Sequence, residues 1–262
     1  LAGLITLTTD FGLRDPFVGI MKGVLLSICP SVRLVDLTHE VPPQDVLGGG
    51  LALEAALPFF PSGTVHLAVV DPGVGTARRP IAVRVGGHYL VGPDNGLFTF
   101  ALEGDGWAAV SLTAPEYRLA EVSRTFHGRD VFAPAAAYLA SGVPLERLGP
   151  VVTAPERLRR PGCRLEAGEL VGEVIDADRF GNLLTSIPAA RLAEIPGSGG
   201  VTLEIAGRRL GRPVDAYAEG AEGELAVIVG SMGRLEIFVK DGSARDRLGA
   251  GRGTIVRVRR AE

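Results

Sequence analysis

The chain has 262 residues, 46% of them hydrophobic and 22% charged, with a formal net charge of −3. That balance supplies a buried core for one large domain or two smaller ones. It excludes a disordered chain and any broad electrostatic attraction to nucleic acid or to anionic membranes. No apolar run reaches the roughly 20 residues of a membrane span.

The opening stretch "LAGLITLTTDFG" lacks the charged n-region and small-residue cleavage site of a secretory leader. It reads as a buried first strand with polar residues at its C-terminal edge. "DPFVGIMKGVLLSICP" sets apolar residues at helical spacing and stops at Cys29 and Pro30, where proline blocks continuation. "VRLVDLTHEV" is strand-like, and "DVLGGGLALEAALPFF" reads as a second helix with Asp45 as N-cap and a glycine-rich face for close packing. "GTVHLAVVDPGVG" is a third strand. "RRPIAVRVGGHYLVGPDNGLFTFAL" holds two more, followed by a turn at "GPDNG", and "RDVFAPAAAYLASGVP" is an alanine-rich helix starting near Asp130. Such alternation predicts an α/β sheet with helices on its faces and ligands at the C-terminal strand ends, where Asp10 and Asp71 fall.

Around "GPVVTAPERLRRPGCRLEAG" the period fails, which predicts a linker over 153–168 between a domain of residues 1–152 and one of residues 169–262. Beyond it come short strand-like pieces with frequent turns: "LVGEVIDADRFGNLLTSI", "VTLEIAGRRL", "GELAVIVGSMGRLEIFV" and "GTIVRVRR". The expected fold is an N-terminal α/β domain with a central, mostly parallel sheet, followed by a smaller C-terminal β-rich, barrel-like domain. Cys29 and Cys163, the two cysteines, read as reduced thiols of a cytoplasmic protein rather than a disulfide.

The stretch "VVDPGVGTARRPIAV", residues 69–83, is the first chemical candidate. Gly73, Gly75 and Arg78 stand where G-x-G-x-x-G would want three glycines; the third position fails, and "RRPIAVRV" reads as strand. Without a helix N-terminus after the loop, phosphate has no dipole to hold it, and a P-loop lysine motif is missing too. Asp10, Asp15, Asp71, Asp94, Asp130, His39 and His127 all fall at strand ends or turns, a set that could bind metal. No two have metal-ligand spacing, and a turn aspartate is ordinarily a backbone cap. His66 and His88 lie within strands and read as structural, while His39 fits a buried hydrogen-bonded role equally well. In "TFHGRDVF", His127 precedes a helix and suits an acid, a base, a hydrogen-bond post or a plain turn cap. Arg129 and Asp130 read as a capping or packing pair. In "DADRFGNLLTS", Asp178, Phe180, Gly181 and Asn182 form a tight turn. There the Asn182 amide matches an adenine edge, although an Asx-stabilised hairpin explains the same residues.

"LTTDFGLRDPFVGIMKGVL", "VVDPGVGTARRPIAV", "VGPDNGLFTF", "TFHGRDVFAPAAAYLASG" and "VIDADRFGNLLTS" together resemble, in order and spacing, the S-adenosyl-L-methionine (SAM) hydrolases that form adenosine. These are also called SAM hydroxide adenosyltransferases and are relatives of the fluorinases and chlorinases. The resemblance runs from Leu4 to about Val258. It implies hydrolysis of SAM, with the R-sulfonium epimer a candidate substrate, by attack of water at C5′, and a catalytic trio of Asp71, Arg78 and His127. It also implies a ribose clamp at Asp10, acids near the methionine amino group at Asp15 and Asp178, and an adenine-edge contact at Asn182. Tyr217 is implied to pack on adenine and Ser231 to touch the methionine carboxylate. The halogenating relatives lack the trio and carry an inserted loop before their counterpart of "VGPDNGL". Here "GGHYLVGPDNG" runs straight through, and both differences favour water as nucleophile. Met232 stands where the halogenases have Arg, and Gln44 where the fluorinase has Trp. The resemblance further implies a homotrimer holding SAM between one subunit's N-terminal domain and its neighbour's C-terminal domain, with no cofactor and no metal. Two other readings stay open: a metal-dependent hydrolase of nucleoside or phosphorylated substrates using Asp10, Asp71, Asp94 and His127, and a non-catalytic SAM- or adenosine-binding protein.

Overall fold

The computed structural model describes residues 3–261, and the chain divides between Arg159 and Arg160 into two units. The first is built on a six-stranded sheet: β1 (Leu4–Thr9), β2 (Arg33–Thr38), β3 (Val65–Val69), β4 (Pro80–Val85), β5 (His88–Pro93) and β6 (Ala108–Ser111), in spatial order β2-β1-β3-β5-β4-β6. The β1–β2, β1–β3 and β3–β5 pairs are parallel, whereas β4 runs antiparallel to both β5 and β6. Helices α1 (Phe17–Ile28), α2 (Val46–Ala56) and α3 (Ala133–Ala140) complete it. One buried cluster joins Ile5, Leu7, Met21, Leu25, Leu67 and Phe132. A second joins Leu53, Val70, Ile81, Leu90, Leu97 and Phe98. The central strand β3 is buried along its whole length, as a parallel strand covered on both faces must be.

The glycine-rich face of α2 does what its composition predicts. A Cβ on Gly49 would lie 2.9 Å from Val70 Cγ2, and one on Gly50 would lie 3.0 Å from the Leu97 carbonyl oxygen. Asp45 caps this helix by accepting from the Gly48 N–H at 3.0 Å. The turn between β4 and β5 is just Gly86 and Gly87, with φ of +54° and +84°, the geometry that a two-residue hairpin needs. Strand β6 escaped the sequence reading because its four residues carry too short a period. The third helix also differs. A wide π-turn over Gly128–Phe132 precedes α3, so the helical path begins at Gly128 rather than near Asp130.

The second unit is an antiparallel sheet of β7 (Arg164–Glu166), β8 (Glu169–Ala177), β9 (Leu183–Pro188), β10 (Val201–Ile205), β11 (Arg208–Leu210), β12 (Leu225–Val229), β13 (Arg234–Val239) and β14 (Ile255–Arg260). Its main path is β11-β10-β14-β8-β9-β13-β12, with β7 on β8. Val214, just past β11, bridges to Ile228 in β12, bringing the two ends of the sheet together in a nearly closed, barrel-like form. Leu170, Val174, Leu183, Ile187, Leu203 and Ile237 fill the interior, and a short helix, α4 (Ala244–Leu248), follows β13. Cys29 and Cys163 are free thiols. Among the described residues no helix is long and apolar enough to cross a membrane.

Candidate active site

Asp71 follows β3 at the C-terminal edge of the sheet. Its backbone is pinned from behind, because Asn95 Nδ2 donates to the Val70 carbonyl at 2.9 Å. Two turns then fold the chain back on itself. The Val74 N–H donates to the Asp71 carbonyl at 3.3 Å. The Thr76 N–H and hydroxyl both donate to the Gly73 carbonyl, at 3.2 Å and 2.7 Å. Gly75 sits at φ +78°, and a Cβ there would fall 2.4 Å from the Arg124 carbonyl oxygen, so glycine is required twice over. The chain then enters β4, and no helix dipole faces the loop.

The fold-back delivers Arg78 to Asp71. Arg78 Nε donates to Asp71 Oδ1 at 2.9 Å, and Nη2 donates to Oδ2. The same Nη2 lies 3.0 Å from His127 Nδ1. The pair is deeply set, with the Arg78 and Asp71 side chains 8% and 5% exposed. The guanidinium lies 5.1 Å from the centre of the Phe132 ring. Its third nitrogen, Nη1, is buried with no hydrogen-bond partner among the described residues.

His127 stands at the mouth of the π-turn, a feature frequent at functional sites. A guanidinium can only donate, so His127 Nδ1 accepts from Arg78 and the ring proton sits on Nε2. Burial, and then the Arg78 cation, push the His127 pKa below its ordinary value against the opposing pull of Asp71. The imidazole is therefore neutral near pH 7 and offers an N–H outward.

Beside this trio opens a cleft of about 420 Å³ lined by Asp10, Phe11, Phe17, Gln44, Asp71 and Val74, among others. Asp10 follows β1 as Asp71 follows β3, and these strands are neighbours in the sheet, so the carboxylates share one cleft. Asp10 Oδ2 accepts from the Gln44 N–H at 2.8 Å. Phe11, Phe17 and Phe126 form an edge-to-face triangle at centroid distances of 5.4–6.1 Å. Asp15 is exposed and lies outside this lining.

Asp94, Asp130, His39, His66 and His88 have structural partners instead. Asp94 is buried and accepts from Arg79 Nε and from the Glu156 N–H, both at 2.7 Å. Asp130 accepts from Arg129 and from the Ser123 N–H. His39 is 3% exposed and bonds Thr9 Oγ1 at 2.8 Å through Nδ1. His66 bridges Thr6 and His88 inside the sheet. Among the described residues no three His, Cys, Asp or Glu side chains gather as a metal-binding group.

In the second unit a pocket of about 590 Å³ is lined by Asp178, Phe180, Asn182, Tyr217, Phe238 and Lys240, among others. The Asx turn is present in full. Asp178 Oδ1 accepts from the Phe180 and Asn182 N–H groups, each at 2.9 Å, and Oδ2 accepts from Asn182 Nδ2 at 2.8 Å. Asn182 thus keeps its Oδ1 and one amide N–H for another partner. Tyr217 donates to the buried Glu236 at 3.1 Å and stands edge-on to Phe238 at 4.9 Å. Burial, with Glu236 next to it, raises the Tyr217 phenol to about 12, and burial likewise raises the Glu236 carboxyl. Ser231 is exposed in the turn between β12 and β13 and does not line this pocket. Asn95, Glu236 and Phe238 escaped the sequence reading. The first sat in a stretch with only a turn signal, and the other two sat in an ordinary strand.

Comparison with known proteins adds the family. Residues 5–149 match the SAM hydroxide adenosyltransferase N-terminal domain and residues 172–257 the C-terminal domain of the same name. The chain is 46% identical over 258 residues to an (R)-S-adenosyl-L-methionine hydrolase of Salinispora tropica, covering 97% of each chain. It is 31% identical over 230 residues to a fluorinase of Nocardia brasiliensis, covering 77% of each. A Thermotoga maritima crystal structure superposes with a TM-score of 0.90 at 36% identity, over 98% of this chain and all of that one. The chain belongs to the SAM hydroxide adenosyltransferase family.

Proposed function

We propose that this protein hydrolyses SAM to adenosine and L-methionine, with the R-sulfonium epimer as the substrate its closely similar relatives suggest. The observation that carries the mechanism is the buried, unpartnered Nη1 of Arg78 beside Asp71 and His127. Leaving a buried donor unmade costs about 1–3 kcal/mol. A water or hydroxide oxygen accepting from Nη1 removes that cost, and the Nε2–H of His127 is the second donor the trio keeps free of Arg78. Both groups are donors, so neither can take the proton from water. That task falls to Asp71, whose oxygens each keep a lone pair beyond the bond from Arg78.

The reaction is then an in-line displacement. The water oxygen bonds to C5′, the C5′–S bond breaks, its electron pair stays on sulfur, and the proton passes to Asp71. Methionine leaves as a neutral thioether, so the leaving group needs no acid. Arg78 and His127 stabilise developing hydroxide as fixed donors. Asp10 holds the ribose hydroxyls, and Asn182, Tyr217 and Asp178 hold the adenine and methionine ends, with Asp15 and Ser231 as outer polar contacts. No step calls for a metal or cofactor. The metal-dependent alternative fares worse because Asp71 and Asp94 are both engaged by arginines. We further propose a cytoplasmic homotrimer in which the first unit of one subunit and the second unit of another share each substrate.

The test is incubation with SAM and with its R-epimer in ¹⁸O-water, followed by mass spectrometry. Label in the adenosine 5′-hydroxyl is the expected result. Adenosine binding without turnover of either epimer would leave a non-catalytic binder, and activity abolished by a chelator would restore the metal-dependent reading.

A further inference from the structure

Four described residues other than glycine have positive φ: Gln44, Ala167, Ala206 and Asp241. Ala167 and Ala206 each precede a left-handed glycine in a two-residue hairpin turn, and aspartate tolerates this region readily. Gln44, at φ +67°, is the third residue of a turn closed by the Asp45 N–H on the Pro42 carbonyl at 2.9 Å, a position where glycine or asparagine is the ordinary choice and glutamine is not. It is exposed, so packing does not demand a long side chain there either. Its backbone is fully engaged. The N–H donates to Asp10 Oδ2 at 2.8 Å, and its carbonyl accepts from the Val46 N–H at 3.0 Å. Glycine would make both bonds without the left-handed penalty of about 1–2 kcal/mol. The side chain is thus retained at a cost to folding, at a position that lines the cleft with Asp71.

The cleft's chemistry says what that side chain supplies. Its polar lining side chains are Asp10, Asp71 and Gln44. The two carboxylates only accept when ionised, and Gln44 adds a neutral donor and acceptor. A vicinal diol presents two hydroxyls, each of which donates and accepts. Asp10 can take their protons, but their oxygens need a donor. We propose that Gln44 is a specificity-determining residue, whose carboxamide completes with Asp10 a clamp for the ribose diol and selects ribosyl over deoxyribosyl substrates. This rests on reading the cleft as the nucleoside end of a SAM site.

Full-length parent, Gln44→Gly and Gln44→Asn are compared by calorimetric binding of adenosine, 2′-deoxyadenosine and 3′-deoxyadenosine, by denaturant unfolding, and by SAM kinetics. Gln44→Gly is expected to be at least as stable as the parent and to bind adenosine about tenfold more weakly, the size of one neutral hydrogen bond. It should also lose most of the parent's preference for adenosine over one of the deoxy analogues, with the kinetic loss falling on KM more than on kcat. Gln44→Asn, whose shorter amide also tolerates positive φ, should show the same loss of preference; it carries the comparison if the glycine variant folds poorly. Parent-like affinity and preference in both variants would overturn the inference while leaving the SAM site intact. A parent that binds no adenosine would instead overturn the functional reading beneath it.

Discussion

Removing the Asp71 carboxylate separates the two jobs that the site gives it. In the folded chain it neutralises a guanidinium whose side chain is 8% exposed, and in the proposed reaction it accepts a proton. In Asp71→Ala, Arg78 keeps one partner, His127 Nδ1 at 3.0 Å, while Nε joins Nη1 as a buried nitrogen without an acceptor. Breaking a buried ion pair from one side costs about 3–5 kcal/mol. Losing a positioned general base costs about 10²–10⁴ in rate, a barrier change of similar size. The second substitution distinguishes them. Asp71→Ala with Arg78→Met leaves no uncompensated charge, so stability in urea should return most of the way, giving an interaction energy of several kcal/mol. Turnover should not return, because the nucleophile's acceptor and its Arg78 donor are both gone. The assays are denaturant unfolding followed by fluorescence of Trp107 and chromatographic detection of adenosine. Wild-type turnover in Asp71→Ala would remove Asp71 from the mechanism. Additive stability losses would refute the buried pair.

Three other outcomes follow from the same geometry. Turnover should fall at acid pH with an apparent pKa below 6.5. Burial and Arg78 hold His127 neutral, and protonating Nδ1 would set two donors against each other; an acid limb above 6.5 would contradict this. Gly75→Ala places a Cβ 2.4 Å from the Arg124 carbonyl at φ +78°, so it should lower both turnover and stability by more than the roughly 1 kcal/mol of an ordinary Gly-to-Ala change in the left-handed region. Parent-like kinetics would mean that the loop is not held as described. Finally, His66 is fully buried and titrates at about 4 in the folded chain against 6.5 when free. The unfolded chain binds the extra proton between those values, so stability is complete above pH 6.5 and declines as pH falls toward 4. At 1.36 kcal/mol per pH unit, the loss from pH 7 to pH 5 is about 2 kcal/mol. His66→Leu should be less stable at pH 7 yet lack this part of the pH dependence, which unfolding curves at the two pH values would reveal.

The sequence carried much of this plan because its signals were local. Cys29 with Pro30 ended α1 where expected, Asp45 capped α2, and the missing third glycine together with "RRPIAVRV" argued correctly for a strand, β4, after the loop. What escaped depends on contacts distant in the chain. No local pattern shows that Asn95 reaches the Val70 carbonyl, 25 residues away, or that Glu236 lies under the Tyr217 hydroxyl. The strain at Gln44 is equally invisible, since "VPPQDV" reads as an ordinary turn into a helix. The Asx hairpin and the candidate adenine contact were posed as rivals in "DADRFGNLLTS", yet Asp178 and Asn182 form the hairpin while both still line the pocket.

Charge is the reason that the loop holds an arginine as well as an aspartate. The proposed substrate arrives as a sulfonium and loses that charge as C5′–S breaks. A bare carboxylate beside the sulfur would bind the ground state more tightly than the transition state and slow the reaction, since catalysis needs interactions that strengthen along the way. Arg78 cancels Asp71 through two hydrogen bonds, so the pair presents little net field to the departing cation. It still keeps one N–H, on Nη1, for the oxygen that gains negative character in the proposed reaction. Asp71 and Arg78, seven positions apart, therefore make a neutral but strongly dipolar site. A helix N-terminus could supply the N–H groups but not the carboxylate that accepts the water proton in the proposed reaction, and a glycine loop opening into a strand supplies both.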